Sequence, residues 1–177
     1  VILPGGSYRT VGFSTMLAEW LRDNGVTAAV MKYRLPNYGH SEASFEDGAG
    51  AIKYFRDNAD RLNLDRSKIG ICGSSAGGHL AAWVAAAARG DQRPDFAILI
   101  YGAMIRSVFW AGSDATRRLV GNDITAEKVK AMDVTEMVDE THPPPLLLLS
   151  DDDLTVRPQS STSYYKALKD HGVEAAM

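Results

Sequence analysis

The chain has 177 residues, 45% of them hydrophobic and 23% charged, with a formal net charge of -3. That profile describes a globular chain with a real apolar core and excludes disordered and fibrous proteins. Lys and Arg are scattered among acidic residues without a basic stripe, so nucleic acid is not an expected partner, and a single cysteine, Cys72, leaves no internal disulfide to form.

Val1 to Leu3 reads as a short strand broken at Pro4-Gly5-Gly6. Phe13, Leu17, Trp20 and Leu21 recur at helical spacing until Asn24-Gly25 ends the helix. Val26 to Tyr33 is rich in small and β-branched residues and predicts a second strand. Phe45, Ala49, Ile52, Phe55, Ala59 and Leu62 then mark one face of a long helix. Ile69 to Cys72 predicts a buried strand, Ala76 to Ala88 a helix of high propensity, and Phe96 to Tyr101 a strand bounded by Pro94 and Gly102. From Ala103 to Thr141 the pattern breaks into short helical pieces with no clean strand, an excursion from the sheet. After Pro143-Pro144-Pro145 come a strand at Leu146 to Leu149, a helix from about Pro158 to His171 closed by Gly172, and the start of a strand at Val173 to Met177. No apolar run approaches the length of a membrane span. The chain begins without methionine inside one strand and stops inside another, which reads as a fragment truncated at both ends and leaves the compartment open. Alternating strands and helices predict an α/β fold, a mostly parallel sheet with helices on both faces. Residues 1–177 form one partial domain, and ligands are expected beyond the carboxyl ends of the strands.

The stretch KIGICGSSAGGHLAAW, Lys68 to Trp83, lies at such an end. A nucleophile on a sharp strand-to-helix turn needs glycine two residues before and two after it. Only Ser75, between Gly73 and Gly77, meets that condition; Ser74 would be flanked by Cys72 and Ala76, and is left to shape a pocket. The glycines do not match a dinucleotide loop, and no lysine follows as in a P-loop. The backbone N–H of Ala76, at the start of the following helix, is then an oxyanion donor. Upstream, Pro4-Gly5-Gly6-Ser7-Tyr8 resembles the glycine-rich oxyanion loop of esterases, with Ser7 in the third glycine position. Gly6 and Ser7 are its expected donors.

The runs VILPGGSY, VMKYRLP, ICGSSAGGHLAA and SDDDLTV together resemble the α/β-hydrolase superfamily. They are most similar to its bacterial esterase and lipase branch, which includes acetyl-xylan and other carbohydrate esterases. The resemblance implies a Ser, Asp, His triad in that chain order, no metal and no organic cofactor. It also implies a small-molecule or carbohydrate ester as substrate, cleaved through an acyl-enzyme. Its DxxV pattern falls on Asp153-Leu154-Thr155-Val156, which makes Asp153 the expected acid and Asp152 the runner-up. A calcium loop needs alternating acidic positions and a closing glutamate, which this run lacks.

A serine hydroxyl needs an imidazole base within hydrogen-bond reach. His79 lies one turn into the helix after Ser75 and reads as structural. His142 enters its strand from the opposite end of the sheet, and His40 precedes the serine. His171 occupies the last turn of a helix, where the dipole favours it. The base is therefore expected beyond Met177, a short loop after the strand that begins at Val173. Tyr8 and Trp110, with Phe109, are expected to line the pocket. Cys72 reads as core, and Arg34, Asp47 and Arg56 as structural hydrogen bonders. The excursion is too short to build a deep lid, so short acyl groups, acetyl above all, are expected. Two other readings stay open: a prolyl-oligopeptidase-type peptidase, which normally adds a propeller not visible here, and a non-catalytic hydrolase-fold binding protein lacking its base.

Overall fold

The computed structural model describes every residue from Val1 to Met177. Four strands, β1 (Ile2–Leu3), β2 (Ile71–Ser74), β3 (Ala97–Ile100) and β4 (Pro145–Leu148), lie in the order β1-β2-β3-β4 and are all parallel. The register pairs Ser74 with Ile100 and Ile100 with Leu148, so three strands end at one level. Eight helices connect them: α1 (Thr15–Asp23), α2 (Glu42–Asp57), α3 (Ala59–Leu62), α4 (Ala76–Ala87), α5 (Arg106–Phe109), α6 (Asp114–Val120), α7 (Ala126–Lys130) and α8 (Pro158–Asp170).

The core lies on one face of the sheet. Leu3, Ile71, Leu99 and Leu147 point there and meet Ile52 of α2, Leu80 and Val84 of α4, and Tyr164 and Leu168 of α8 in one apolar cluster. Ten of the twelve residues of α4 are buried, which its run of small side chains allows. The opposite face carries α1 alone, and α1 buries none of its residues. Phe13 is 98% and Trp20 61% exposed, and Val30, Leu146 and Leu148 also face outward. Helices thus lie on both faces, but very unequally.

Three boundaries differ from the sequence pattern. Val26 to Tyr33 forms no strand; it makes one bridge, Val30 to Ile2, with Ile2 N–H donating to Ala29 O and Met31 N–H to Ile2 O. Val173 to Met177 likewise makes a single bridge, Ala176 to Leu146. Both segments are sheet edges with a partner on one side only, and β-rich composition cannot report how much ladder a neighbour offers. The long helix stops at Asn58, whose Nδ2 donates to Tyr54 O at 2.8 Å, before α3 turns off and ends in left-handed Asn63.

The amino ends of the strands are tied by arginine. Arg56 donates to Asp91 O, Arg66 O and Arg93 O and to both Asp95 oxygens, while Arg34 is paired with Asp47 and Glu46. The Arg56 cluster lies at the end of the sheet away from Ser75, whereas Arg34 follows the Val30 segment at the carboxyl edge, where the Tyr33 hydroxyl reaches Pro4 O; both arginines act in the structural role expected of them.

Candidate active site

Strand β2 runs into helix α4 with one residue between them, and that residue is Ser75. Its backbone sits at φ 53° and ψ -120°, a region that costs a non-glycine residue about 1–3 kcal/mol and persists only where the surroundings impose it. The glycines around it show what imposes it. A Cβ on Gly73 would lie 2.1 Å from Gly77 O, one on Gly77 2.0 Å from Leu3 O, and one on Gly78 2.9 Å from Gly102 Cα. The turn closes only because strand, helix and neighbouring backbones touch directly at these three positions. Ser75 N–H donates to Ile100 O at 3.0 Å, fixing the elbow to β3.

The Pro4 to Tyr8 loop lies against this elbow: a Cβ on Gly5 would be 2.9 Å from Ser74 O and 3.1 Å from Ser75 Cβ. Gly6, Ser7 and Tyr8 have φ of 141°, 55° and 56° in succession. The loop's own turn is closed by Arg9 and Thr10 N–H groups on Gly6 O and by Gly12 N–H on Gly5 O, while the Gly6 and Ser7 N–H groups donate to no group of the protein. Ala76 opens α4, so its N–H is one of the helix-terminal donors without an intrahelical acceptor. A cavity of about 280 Å³ brings Ser7, Ser75, Ala76 and Trp110 together, with Thr155 and Val156 on its wall.

Three expected pocket residues lie elsewhere. Tyr8 is fully buried: left-handed backbone at Ser7 and Tyr8 turns the ring inward, and its hydroxyl meets His79 Nδ1 at 2.7 Å. Ser74 is paired with Ile100 on the outward side of the sheet and lines a separate groove with Phe13 and Met16. Phe109 packs edge-on against Trp110 instead of lining the cavity.

Asp153 and Asp152 behave differently. One Asp153 oxygen accepts the N–H groups of Thr155 at 2.8 Å and Val156 at 2.9 Å, so its carboxylate organises the turn that forms the cavity wall. Asp152 is exposed and takes only the Ser150 hydroxyl.

None of the four histidines lines the cavity. His79 is fully buried, and its Nε2 lies 2.8 Å from Met132 O. A carbonyl can only accept, so Nε2 carries the proton and Nδ1 accepts from the Tyr8 hydroxyl. Burial, reinforced by the charge of Arg106 and opposed by the Met132 carbonyl, lowers its pKa to about 3. The neutral ring therefore joins the Pro4 to Tyr8 loop to the excursion. His142 bridges Pro143 O and the Tyr164 hydroxyl, and burial lowers its pKa to about 4. His40 is exposed. His171 closes α8 with Nδ1 on Ala167 O, and a thirteen-residue helix puts it about 20 Å from the Val156 wall.

Sequence reading missed Arg106. It lies in the cavity wall at 2% exposure, with its guanidinium carbon 5.5 Å from the ring centroid of Tyr8 and 5.9 Å from that of Trp110. One signal was available: a lone charge in the apolar stretch Met104-Ile105-Arg106-Ser107-Val108-Phe109-Trp110. No group of three or more His, Cys, Asp or Glu side chains converges as a metal site.

A serine driven into this backbone at the carboxyl edge of a parallel sheet is the mark of an α/β-hydrolase. The solved acetyl ester-xyloside bifunctional hydrolase of Caldicellulosiruptor lactoaceticus superimposes with a TM-score of 0.89 at 30% identity, over 99% of this chain and 69% of that one. Within that class the chain belongs to the BD-FAE family, whose model matches residues 3–102. It is 25% identical over 189 residues to an acetylxylan esterase of Xylanibacter ruminicola, covering 99% of this chain and 38% of that protein. It is also 35% identical over 102 residues to probable carboxylesterase 6 of Arabidopsis thaliana, covering 54% of this chain and 30% of that protein. The chain thus spans well under half the length of these curated relatives.

Proposed function

We propose that this chain supplies the nucleophile, acid and oxyanion hole of a serine hydrolase that cleaves carboxylic esters, with acetyl groups on a carbohydrate as the first substrate class. The observation that carries the reading is the imposed backbone of Ser75, which holds a hydroxyl at the rim of a cavity already lined by the oxyanion loop. Ser75 Oγ attacks the ester carbonyl and transfers its proton to a histidine. The N–H groups of Gly6, Ser7 and Ala76 receive the oxyanion, and each such donor is worth about 2.7–4 kcal/mol in transition-state stabilisation. Asp153 holds the histidine in the tautomer that accepts. Collapse of the tetrahedral intermediate expels the alcohol, and water, activated by the same histidine, releases the acid. With no histidine in the cavity, the reading requires its base from residues outside Val1–Met177.

A cavity of about 280 Å³ favours a short acyl group. Similarity to an acetylxylan esterase and to an acetyl ester-xyloside hydrolase supports acetyl and a carbohydrate alcohol. The non-catalytic binding reading draws on the same lack of a histidine in the cavity. One experiment separates the two. The complete natural protein is treated with a fluorophosphonate and its peptides are mapped; an adduct on Ser75, with Ser75→Ala unlabelled and inactive on acetyl esters, is expected. An adduct on Ser74 would sink the assignment of Ser75 as nucleophile, and none in the folded protein would sink the hydrolase reading. A higher kcat/KM for a decanoyl than for an acetyl ester of one alcohol would sink the short-acyl part alone.

A further inference from the structure

A buried guanidinium carries five N–H donors, and removing them from water without acceptors is costly. The chain contains two strongly buried arginines that differ in this respect. Arg56, 7% exposed, is saturated by three carbonyls and the Asp95 carboxylate. Arg106, 2% exposed, enters no ion pair, and its Nε is buried without an acceptor. The carboxylate whose charge reaches it, Asp133, is engaged elsewhere: it accepts the N–H groups of Arg106 and Ser107 and the Ser107 hydroxyl. The rings of Tyr8 and Trp110 hold the guanidinium through their faces, which orients the fork without occupying a donor. Arg106 shares the cavity wall with Ser7 and Ser75. The other charged side chains of the wall are engaged with each other, Arg9 being paired with Asp114, which also holds Arg118 from outside the wall.

We infer that Arg106 is a specificity-determining residue that receives a carboxylate of the substrate, so that the preferred esters carry an acid group close to the bond being cleaved. The inference rests on the serine hydrolase reading and narrows it. A cavity of about 280 Å³ keeps the guanidinium and the reacting carbonyl within one small molecule. The carboxylate can be borne by the alcohol, as in an O-acetylated uronic acid, or by the acyl group, as in a half-ester of a dicarboxylic acid. Both present the same planar pair of oxygens, which a guanidinium fork matches with two parallel hydrogen bonds.

The complete natural protein is assayed on two matched pairs. Mono-p-nitrophenyl succinate against p-nitrophenyl butyrate tests the acyl side; acetylated galacturonate against acetylated galactose tests the alcohol side. In one pair the anionic member should have the higher kcat/KM by roughly 10- to 100-fold, the weight of a hydrogen bond to a charged group. Arg106→Gln should erase that ratio and Arg106→Lys should keep part of it. A merely structural arginine would lower both members of a pair alike and leave the ratio standing. No preference in either wild-type pair, or a ratio that survives in Arg106→Gln, overturns the inference. If Arg106→Gln fails to fold, the wild-type ratios and Arg106→Lys decide. If no ester is turned over, the hydrolase reading has failed, and calorimetry then judges Arg106 by itself. Succinate and galacturonate should bind the wild-type protein more tightly than butyramide and galactose, and equal binding overturns the assignment.

Discussion

At Gly77 a single methyl group decides whether the elbow closes. Its Cβ would sit 2.0 Å from Leu3 O, a backbone atom that cannot step aside, so Gly77→Ala should destabilise by about 3 kcal/mol or more and abolish labelling of Ser75. Gly50, in the middle of α2, has nothing within 4 Å of the same added atom, and Gly50→Ala should stabilise by up to about 1 kcal/mol. Urea midpoints of the two variants check the opposite signs. Asp153→Asn should cut kcat/KM by several orders of magnitude and Asp152→Asn by less than about threefold, because only Asp153 holds the Thr155–Val156 turn that forms the cavity wall. Equal losses would assign the acid wrongly. His79 and His142 add a pH dependence. Both are held below the ordinary value of 6.5, at about 3 and about 4, so below pH 6.5 the unfolded chain binds protons that the folded chain refuses. Stability is complete above pH 6.5 and falls as the pH drops toward 4, by up to about 1.4 kcal/mol per pH unit for each group. A urea midpoint that stays flat from pH 7 to 4.5 would contradict the neutral assignment. The glycine register around Ser75 was legible in the sequence because it is a local steric demand. The inward turn of Tyr8 and the burial of Arg106 were not, since both depend on residues brought together from positions 8, 79, 110 and 133.

Helices announced themselves better than edges. The alanine-rich run from Ala76 buries nearly all its residues as α4, and Pro158 opens α8 in the first-turn position where its missing N–H costs nothing. The segments at Val26 and Val173 carry strand composition but make one bridge each, because ladder length is set by the partner and not by the segment. Within the excursion, α5 has only four residues and owes its start to Asp133, which accepts the N–H groups of Arg106 and Ser107. Asp133→Ala should leave those buried donors unsatisfied at a cost of about 1–3 kcal/mol. Hydrogen exchange should then quicken at Arg106 and Ser107 while the amides of α4 stay protected. Exchange that quickened equally in both places would mean that the excursion and core open as one unit.

For the molecule as a whole, the uneven dressing of the sheet matters most. Phe13, Met16, Trp20, Val30, Leu146 and Leu148 lie uncovered on the side that carries only α1. Apolar side chains left exposed on one face of a sheet favour association in water. The polypeptide Val1–Met177 expressed alone should bind a hydrophobic dye and sediment as more than a monomer, and Phe13→Ser with Leu148→Lys should reduce both. Unchanged dye binding in the double variant would locate the sticky surface elsewhere. The parallel α/β plan was legible from the alternation of elements; the bareness of one face was not, because the outward strand residues and α1 are as apolar as the buried ones.

The segment between β3 and β4 has a consequence for inheritance. A crossover joining neighbouring parallel strands needs about a dozen residues, whereas this one runs from Tyr101 to Pro144 and is mostly surplus to the topology. Lengthening such a connection is inexpensive, about 0.6 kcal/mol for each doubling. The segment is therefore an exchangeable cassette. It carries Arg106 and Trp110 but neither Ser75 nor Asp153, so a lineage can trade one substrate for another while the elbow is passed on untouched. One condition travels with every exchange: the incoming segment must return a carbonyl to His79 where Met132 now stands, or the Pro4 to Tyr8 loop loses its anchor.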